Sequence, residues 1–306
     1  MKIDFVNRIA KAVASKAGAN LGQIRRGVLE IESHLLYGDQ VEMNLVNEQQ
    51  MEIGGVLNIN VSCKDTNIAL FKSDTSFLRI KEYKSIGRSI GSLNVNKFGE
   101  TIYITEGKSP LFFSAVRYTT ELHLPETFAG NIALKIGTGN VQFNDSFTFD
   151  SLAVECSDGH IRVDEVTAQK IKLQSSSGKV QCGIINGDIE VHTKDGGILI
   201  NQLGGNILAN AKSGKIQCTV TKPMEKIILK TGDGSITLNI PGDLYFRFSA
   251  KTSSRLKAPF RDDLFRPVKD NYTYQGMIGE KNKSENGPTD IKINAKDYRI
   301  TVNWID

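Results

Sequence analysis

Along most of the chain apolar and polar residues alternate with period two, and a short polar step ending in glycine interrupts the alternation at regular intervals. Residues 152–163 (Leu-Ala-Val-Glu-Cys-Ser-Asp-Gly-His-Ile-Arg-Val) and 189–200 (Ile-Glu-Val-His-Thr-Lys-Asp-Gly-Gly-Ile-Leu-Ile) show the unit most clearly. Period two places every second side chain on one buried face, so each half of the unit predicts a strand. The polar step predicts a tight turn, because glycine accepts positive φ without steric cost. The turn glycines Gly139, Gly159, Gly178, Gly196, Gly214 and Gly234 follow one another at 18 to 20 residues, and residues 291–302 form a further copy with Tyr298 in the glycine position. Self-similarity at such a period marks a stacked array. The expected architecture is all-β, a single-stranded β-solenoid (β-helix) with coils of 18 to 20 residues and parallel sheets.

Stacking accounts for choices that a single copy leaves open. The residues before the turn glycine read Asp158, Ser177, Asp195, Ser213, Asp233, acid alternating with hydroxyl. Like charges opposed on adjacent strands destabilise, and alternation keeps them two coils apart. The last inward position reads Val163, Cys182, Ile200, Cys218, Leu238, so small thiols alternate with larger chains as close packing requires. One outward row reads Ala133, Ala153, Lys172, Glu190, Leu208, Ile228, Lys292, and the next Lys135, Glu155, Gln174, His192, Asn210, Lys230, Asn294. In register, Lys135 meets Glu155 and Lys172 meets Glu190.

The ends are less regular. Residues 1–50 are expected to form a cap region, with Ile3, Val6, Ile9 and Val13 on one face of a short amphipathic helix and a strand near Met43 and Leu45. The repeat domain is then 51–306, with regular coils over 130–240, an irregular loop over 251–288 and a final coil over 289–306. Ile59, Val61, Cys63, Ile68 and Leu70 make a weak first copy with Thr66 for glycine. Leu93, Val95, Gly99, Ile102 and Ile104 make another with one extra residue, and the stretch from Phe77 to Ile90 between them reads as irregular.

Composition narrows the function classes. A net charge of +4 over 306 residues is too small by itself to argue for nucleic acid, and no specific nucleic-acid binding is expected. The four cysteines lack metal-binding spacing and fall on inward positions, so neither a cofactor nor a metal is expected. No apolar run is long enough for a transmembrane helix and no signal-peptide pattern opens the chain, which points to the cytoplasm. Catalysis would need acids, or an acid and a base, converging on one face. Glu155 and Glu190 are the nearest candidates, two coils apart in different rows, and the histidines find no acid at matching positions of adjacent copies. No catalytic residue is assigned. What remains for interaction is an apolar patch of Leu199, Leu208 and Ile228 facing solvent, and a basic, aromatic loop with Arg255, Lys257, Arg261 and Arg266 beside Phe260 and Phe265. That loop is expected either to lie over Leu208 and Ile228 or to bind a partner.

The serine- or aspartate-glycine turns, the run Phe248-Ser-Ala-Lys-Thr-Ser-Ser-Arg255, and the ending from Tyr274-Gln-Gly-Met-Ile-Gly279 through Gly287-Pro288 to Trp304 resemble a bacterial family of adhesin-like β-strand repeat domains of unknown function (DUF4097-like). The resemblance runs from Leu122 onward and departs at Arg255 and Tyr298, where a turn glycine is usual. It implies a parallel β-solenoid, a non-catalytic binding or scaffolding role, association with the cell envelope, and an envelope glycan or protein as partner. The alternatives from the residues themselves are a polysaccharide-acting enzyme on a β-helix and a self-associating structural solenoid.

Overall fold

The structure, a computed structural model, describes residues 42–85, 92–107, 117–254, 256–259, 272–279, 287–296 and 298–305. All regular structure among them is β. In chain order the strands are β1 (Asn44–Glu52), β2 (Asn58–Cys63), β3 (Thr66–Ser73), β4 (Phe77–Lys84), β5 (Asn94–Phe98), β6 (Thr101–Thr105), β7 (Tyr118–Pro125), β8 (Asn131–Ile136), β9 (Val141–Cys156), β10 (Ile161–Ser175), β11 (Val180–Thr193), β12 (Ile198–Ala211), β13 (Ile216–Thr231), β14 (Ile236–Pro241), β15 (Phe246–Thr252), β16 (Tyr272–Ile278), β17 (Thr289–Ala295) and β18 (Ile300–Ile305). The expected N-terminal helix falls in residues 1–41, outside the described residues.

Strands β9 to β13 are long and bend in the middle, so each contributes to two sheets around one core. The half that follows a turn pairs in a leading sheet, as in Val163↔Cys182↔Ile200↔Cys218↔Leu238. The half that precedes the next turn pairs in a trailing sheet, as in Leu173↔Val191↔Ala209↔Leu229↔Ile293. These pairings are parallel and in the register that the repeat predicts. The bend carries its own inward column, Phe147, Val166, Ile185, Leu203 and Val220. All three columns are buried in one continuous apolar core, and all four cysteines lie in it as free thiols.

The turns stack as the coils do. Asp158 N donates to Gly137 O, Ser177 N to Ser157 O, and Asp195 N to Ser176 O. Ser177 Oγ donates to Asp158 Oδ1 at 2.8 Å, and Thr138 Oγ1 donates to Asp65 Oδ1 at 2.8 Å, so the acid–hydroxyl alternation begins one coil earlier than the clear repeats. Just inside the turns of Gly178 and Gly234, buried hydroxyls satisfy turn carbonyls: Ser175 Oγ donates to Gly159 O and Thr231 Oγ1 to Gly214 O, both at 2.8 Å. The turn glycines have a different cause from the expected one. Positive φ occurs at Gly55, Gly99, Gly187, Gly205, Gly279 and Gly287, none of them a stacked turn glycine. A Cβ on Gly178 would instead stand 1.9 Å from Gly159 O, and one on Gly159 1.8 Å from Gly139 O. Glycine is required there by the close approach of successive backbones.

At the ends the order of coils departs from the order of the chain. β2 and β3 form the first coil, as expected, with Thr66 at its turn; β8 and β9 stack on one side of it and β6 and β7 on the other. The copy expected around Gly99 is no coil: β5 and β6 pair antiparallel as a hairpin, with Gly99 at φ +57°. The stretch expected to be irregular after Phe77 is the regular strand β4, antiparallel to both β1 and β7. At the other end, the final coil of β17 and β18 inserts between β13–β14 and β15. The expected irregular loop over 251–288 contains β16, which pairs antiparallel with β15.

Candidate functional site

The outward columns of the trailing sheet run straight across the coils. One passes from Tyr103 through Asn60, Ala133, Ala153, Lys172, Glu190, Leu208 and Ile228 to Lys292. The next passes from Thr105 through Ser62, Lys135, Glu155 and Gln174 to His192. Ala133 and Ala153 present only methyl groups between the longer chains of Tyr103 and Lys172. The surface therefore sinks into an open groove of about 330 Å³ along this face. On one side of it, a polar ladder ties neighbouring strands: Asn58 Nδ2 donates to Thr101 Oγ1 at 3.3 Å, Asn131 Nδ2 to Asn58 Oδ1 at 2.9 Å, and Ser151 Oγ to Asn131 Oδ1 at 2.6 Å.

At the end nearest β5 and β6 the face carries an aromatic pair. Phe98 is 68% exposed and Tyr103 40% exposed, with ring centroids 6.1 Å apart and planes inclined at 59°. An exposed phenyl ring of that size gains little from burial in the monomer, whereas it offers apolar area to a ligand.

The charges of the groove are distributed unevenly. Lys135 Nζ lies 3.9 Å from Glu155 Oε2, as the register predicts, in an exposed pair worth little in stability. The expected pairing of Lys172 with Glu190 is replaced by another. Glu190 Oε1 meets His192 Nε2 at 2.6 Å, two residues along the same strand. Glu121 and His123 make the same pair at 3.0 Å on β7. Comparing positions between coils overlooks such contacts; the i, i+2 spacing on one strand face would have found them. Lys172 is exposed and makes no ion pair among the described residues. Glu155 and Glu190 thus face a lysine and a histidine rather than each other.

The predicted interaction residues separate. Leu208 and Ile228 are register partners, half-buried side by side on the trailing sheet. Leu199 stands on the leading sheet between Gln181 and Gln217, away from them. Lys257 is exposed at the edge of the leading sheet, where Lys257 N donates to Ile300 O at 3.0 Å and Val302 N to Lys257 O at 2.8 Å. The described part of its loop, 256–259, thus extends the edge beside β18 instead of covering Leu208 and Ile228. Arg255, Arg261 and Arg266 lie outside the described residues, as do Phe260 and Phe265.

Two charged residues were missed. Glu82 and Lys84 follow Leu78 and Ile80 on the inward face of β4, and Lys84 is 1% exposed. Glu82 Oε1 accepts from Asn47 Nδ2 at 2.6 Å and Oε2 from Leu93 N at 3.0 Å. Lys84 Nζ stands 5.5 Å from the centre of the Tyr118 ring; burial lowers its pKa while Glu82 opposes the shift. Extending the period-two pattern of β4 by two steps would have flagged both. Among the described residues no cluster of three His, Cys, Asp or Glu side chains is placed to hold a metal ion, and no helix is long and apolar enough to cross a membrane.

No curated protein matches the chain. Among solved structures, an adhesin-like protein from Bacteroides fragilis aligns over 87% of this chain and 100% of its own at 16% identity and a TM-score of 0.37. A second, from Parabacteroides merdae, covers 87% and 98% at 11% identity and 0.37. A cell-adhesion-like protein from Clostridium sporogenes covers 85% and 99% at 11% identity and 0.31. The profile of one family, Toastrack DUF4097, matches residues 47–302, which takes in every strand from β2 to β17. The chain belongs to the Toastrack DUF4097 family.

Proposed function

We propose that this chain is a non-catalytic, adhesin-like binding scaffold that holds an extended partner at the cell envelope on the outward face of its trailing sheet. The observation that carries this reading is the groove between Tyr103 and Lys172, floored by Ala133 and Ala153, with the exposed Phe98–Tyr103 pair at one end. A stack of parallel strands keeps such a face rigid, because every coil is hydrogen-bonded to two neighbours, and a rigid face loses little entropy on binding. Solenoids suit extended partners for the same geometric reason. The acids nearest the groove support binding over hydrolysis: Glu155 has Lys135 and Gln174 as its register neighbours, and Glu190, in a different column, has Lys172 and Leu208 and meets His192.

The test is a screen of the purified chain against envelope polysaccharides, followed by affinity measurement on paired variants. Tyr103→Ala is expected to weaken binding about tenfold, the scale of one lost aromatic contact. Gln217→Ala, on the leading sheet, is expected to leave affinity unchanged. Equal losses from both variants, or no polysaccharide bound at all, would dismiss this face as the binding surface.

A further inference from the structure

We propose that the groove of the trailing sheet takes an acidic oligosaccharide, with its sugar rings stacked at the Phe98–Tyr103 end and an acid group held by Lys172. The proposal rests on the reading of that face as a binding surface and adds the chemistry of the ligand. The first argument is extent. Tyr103 and Lys172 are separated by four strand steps, through Asn60, Ala133 and Ala153. At ~4.8 Å per step the groove is roughly 19 Å long, which suits an extended chain of a few rings better than a single small molecule.

The second argument is the kind of group that lines it. From β6 to β10 the backbone N–H and C=O groups are engaged in ladders on both sides, antiparallel between β5 and β6 and parallel elsewhere, so a ligand lying across the strands meets side chains only. A peptide that adds as a strand pairs with the backbone of a sheet edge, and the nearest edge here is β5, at the aromatic end rather than along the groove. A saccharide needs flat apolar area for one face of its rings and side-chain donors and acceptors for its hydroxyls. The two exposed aromatic rings supply the first, and Asn60, Ser62, Thr105 and Gln174 supply the second.

The third argument is charge. Within the groove Lys135 and Glu155 offset each other. Glu190, the next residue along the column from Lys172, is turned to His192. The Lys172 ammonium makes no ion pair among the described residues and stands at the end opposite the aromatic pair. A single exposed cation acts through water, so its preference for an acid is modest, about fivefold in affinity.

Calorimetric titration of the full chain tests this with a galacturonic-acid tetramer, a neutral galactose tetramer, a sulfated galactose tetramer and polyglutamate. The uronate is expected to bind about fivefold tighter than the neutral tetramer. Lys172→Gln is expected to remove that difference and Lys172→Arg to keep it, while Tyr103→Ala weakens both sugars about tenfold. The sulfated tetramer tells whether the preferred acid is a sulfate or a carboxylate; a gain that depends on Lys172 with either supports the proposal. Equal affinity for acidic and neutral tetramers would overturn the acid preference and leave the binding face standing. Silence of Tyr103→Ala, or no sugar bound, would take down both. Polyglutamate binding as tightly as the uronate would show a ligand selected by charge alone and overturn the saccharide.

Discussion

A stacked turn glycine here answers to the coil beneath it. Because the missing Cβ of Gly178 would fall 1.9 Å from the carbonyl oxygen of Gly159, any side chain forces the two turns apart. Gly178→Ala is expected to cost roughly 1–3 kcal/mol, the scale of overpacking in a close-packed interior. Gly242→Ala, where nothing lies within 4 Å, is expected to be close to neutral in the same urea titrations. Equal costs would mean that the stack relaxes freely. The cysteines make the second prediction at this scale. Burial pushes the Cys182 and Cys218 thiols from 9.0 up to about 12. Between those values the fold keeps protons that the unfolded chain releases, so stability is unaffected by these thiols below pH 9 and falls as pH rises towards 12. At about pH 10.5 each thiol contributes a loss of about 2 kcal/mol relative to about pH 8. The double variant Cys182→Ala/Cys218→Ala is expected to lose correspondingly less over that interval, and the same alkaline slope in both proteins would refute the assignment.

Among elements, the hairpin of β5 and β6 shows what alternation leaves out. A coil and a hairpin share period two and a glycine between strands, so the stretch from Leu93 to Ile104 reads like its neighbours in sequence. The glycines differ in cause: Gly99 adopts φ +57° in an antiparallel turn, whereas those of the stack have carbonyl oxygens beneath them. Strand β4 went unread because its inward series ends in Glu82 and Lys84, which break the apolar run. Tertiary contacts compensate both, through the Asn47 amide and the Leu93 N–H for Glu82 and the Tyr118 ring for Lys84. Glu82→Ala is expected to lower stability by about 1–3 kcal/mol, because it leaves the buried Leu93 N–H without its acceptor. A denaturation midpoint unchanged from the parent would show that water replaces the carboxylate there.

On the scale of the whole molecule, the regular coils were legible because each residue is constrained by its equivalents one coil away. The columns Val163–Cys182–Ile200–Cys218–Leu238 and Lys172–Glu190–Leu208–Ile228 appear in the structure in that order. The ends were not legible. Periodicity says that a segment is a coil, but not which coil it lies against, and here the final coil slips between β13–β14 and β15 while β6 and β7 lie outside the first. The candidate site suffered from the same gap. Leu208 and Ile228 were found in sequence as apolar residues at outward positions. The groove was not, because its aromatic wall comes from a hairpin that only the fold brings beside Asn60.

The repeat by itself therefore determined the strand period, the turn positions, the inward and outward rows and the parallel register of the central coils, since a one-residue slip would turn every core residue to solvent. Only the tertiary structure decided the order of the terminal coils, the direction of the β4, β5 and β16 strands, the partners of Glu82, Glu190 and Lys84, and the meeting of Tyr103 with Ala133 and Lys172 on one face. Those depend on contacts between residues far apart in the chain, where no local period carries the information.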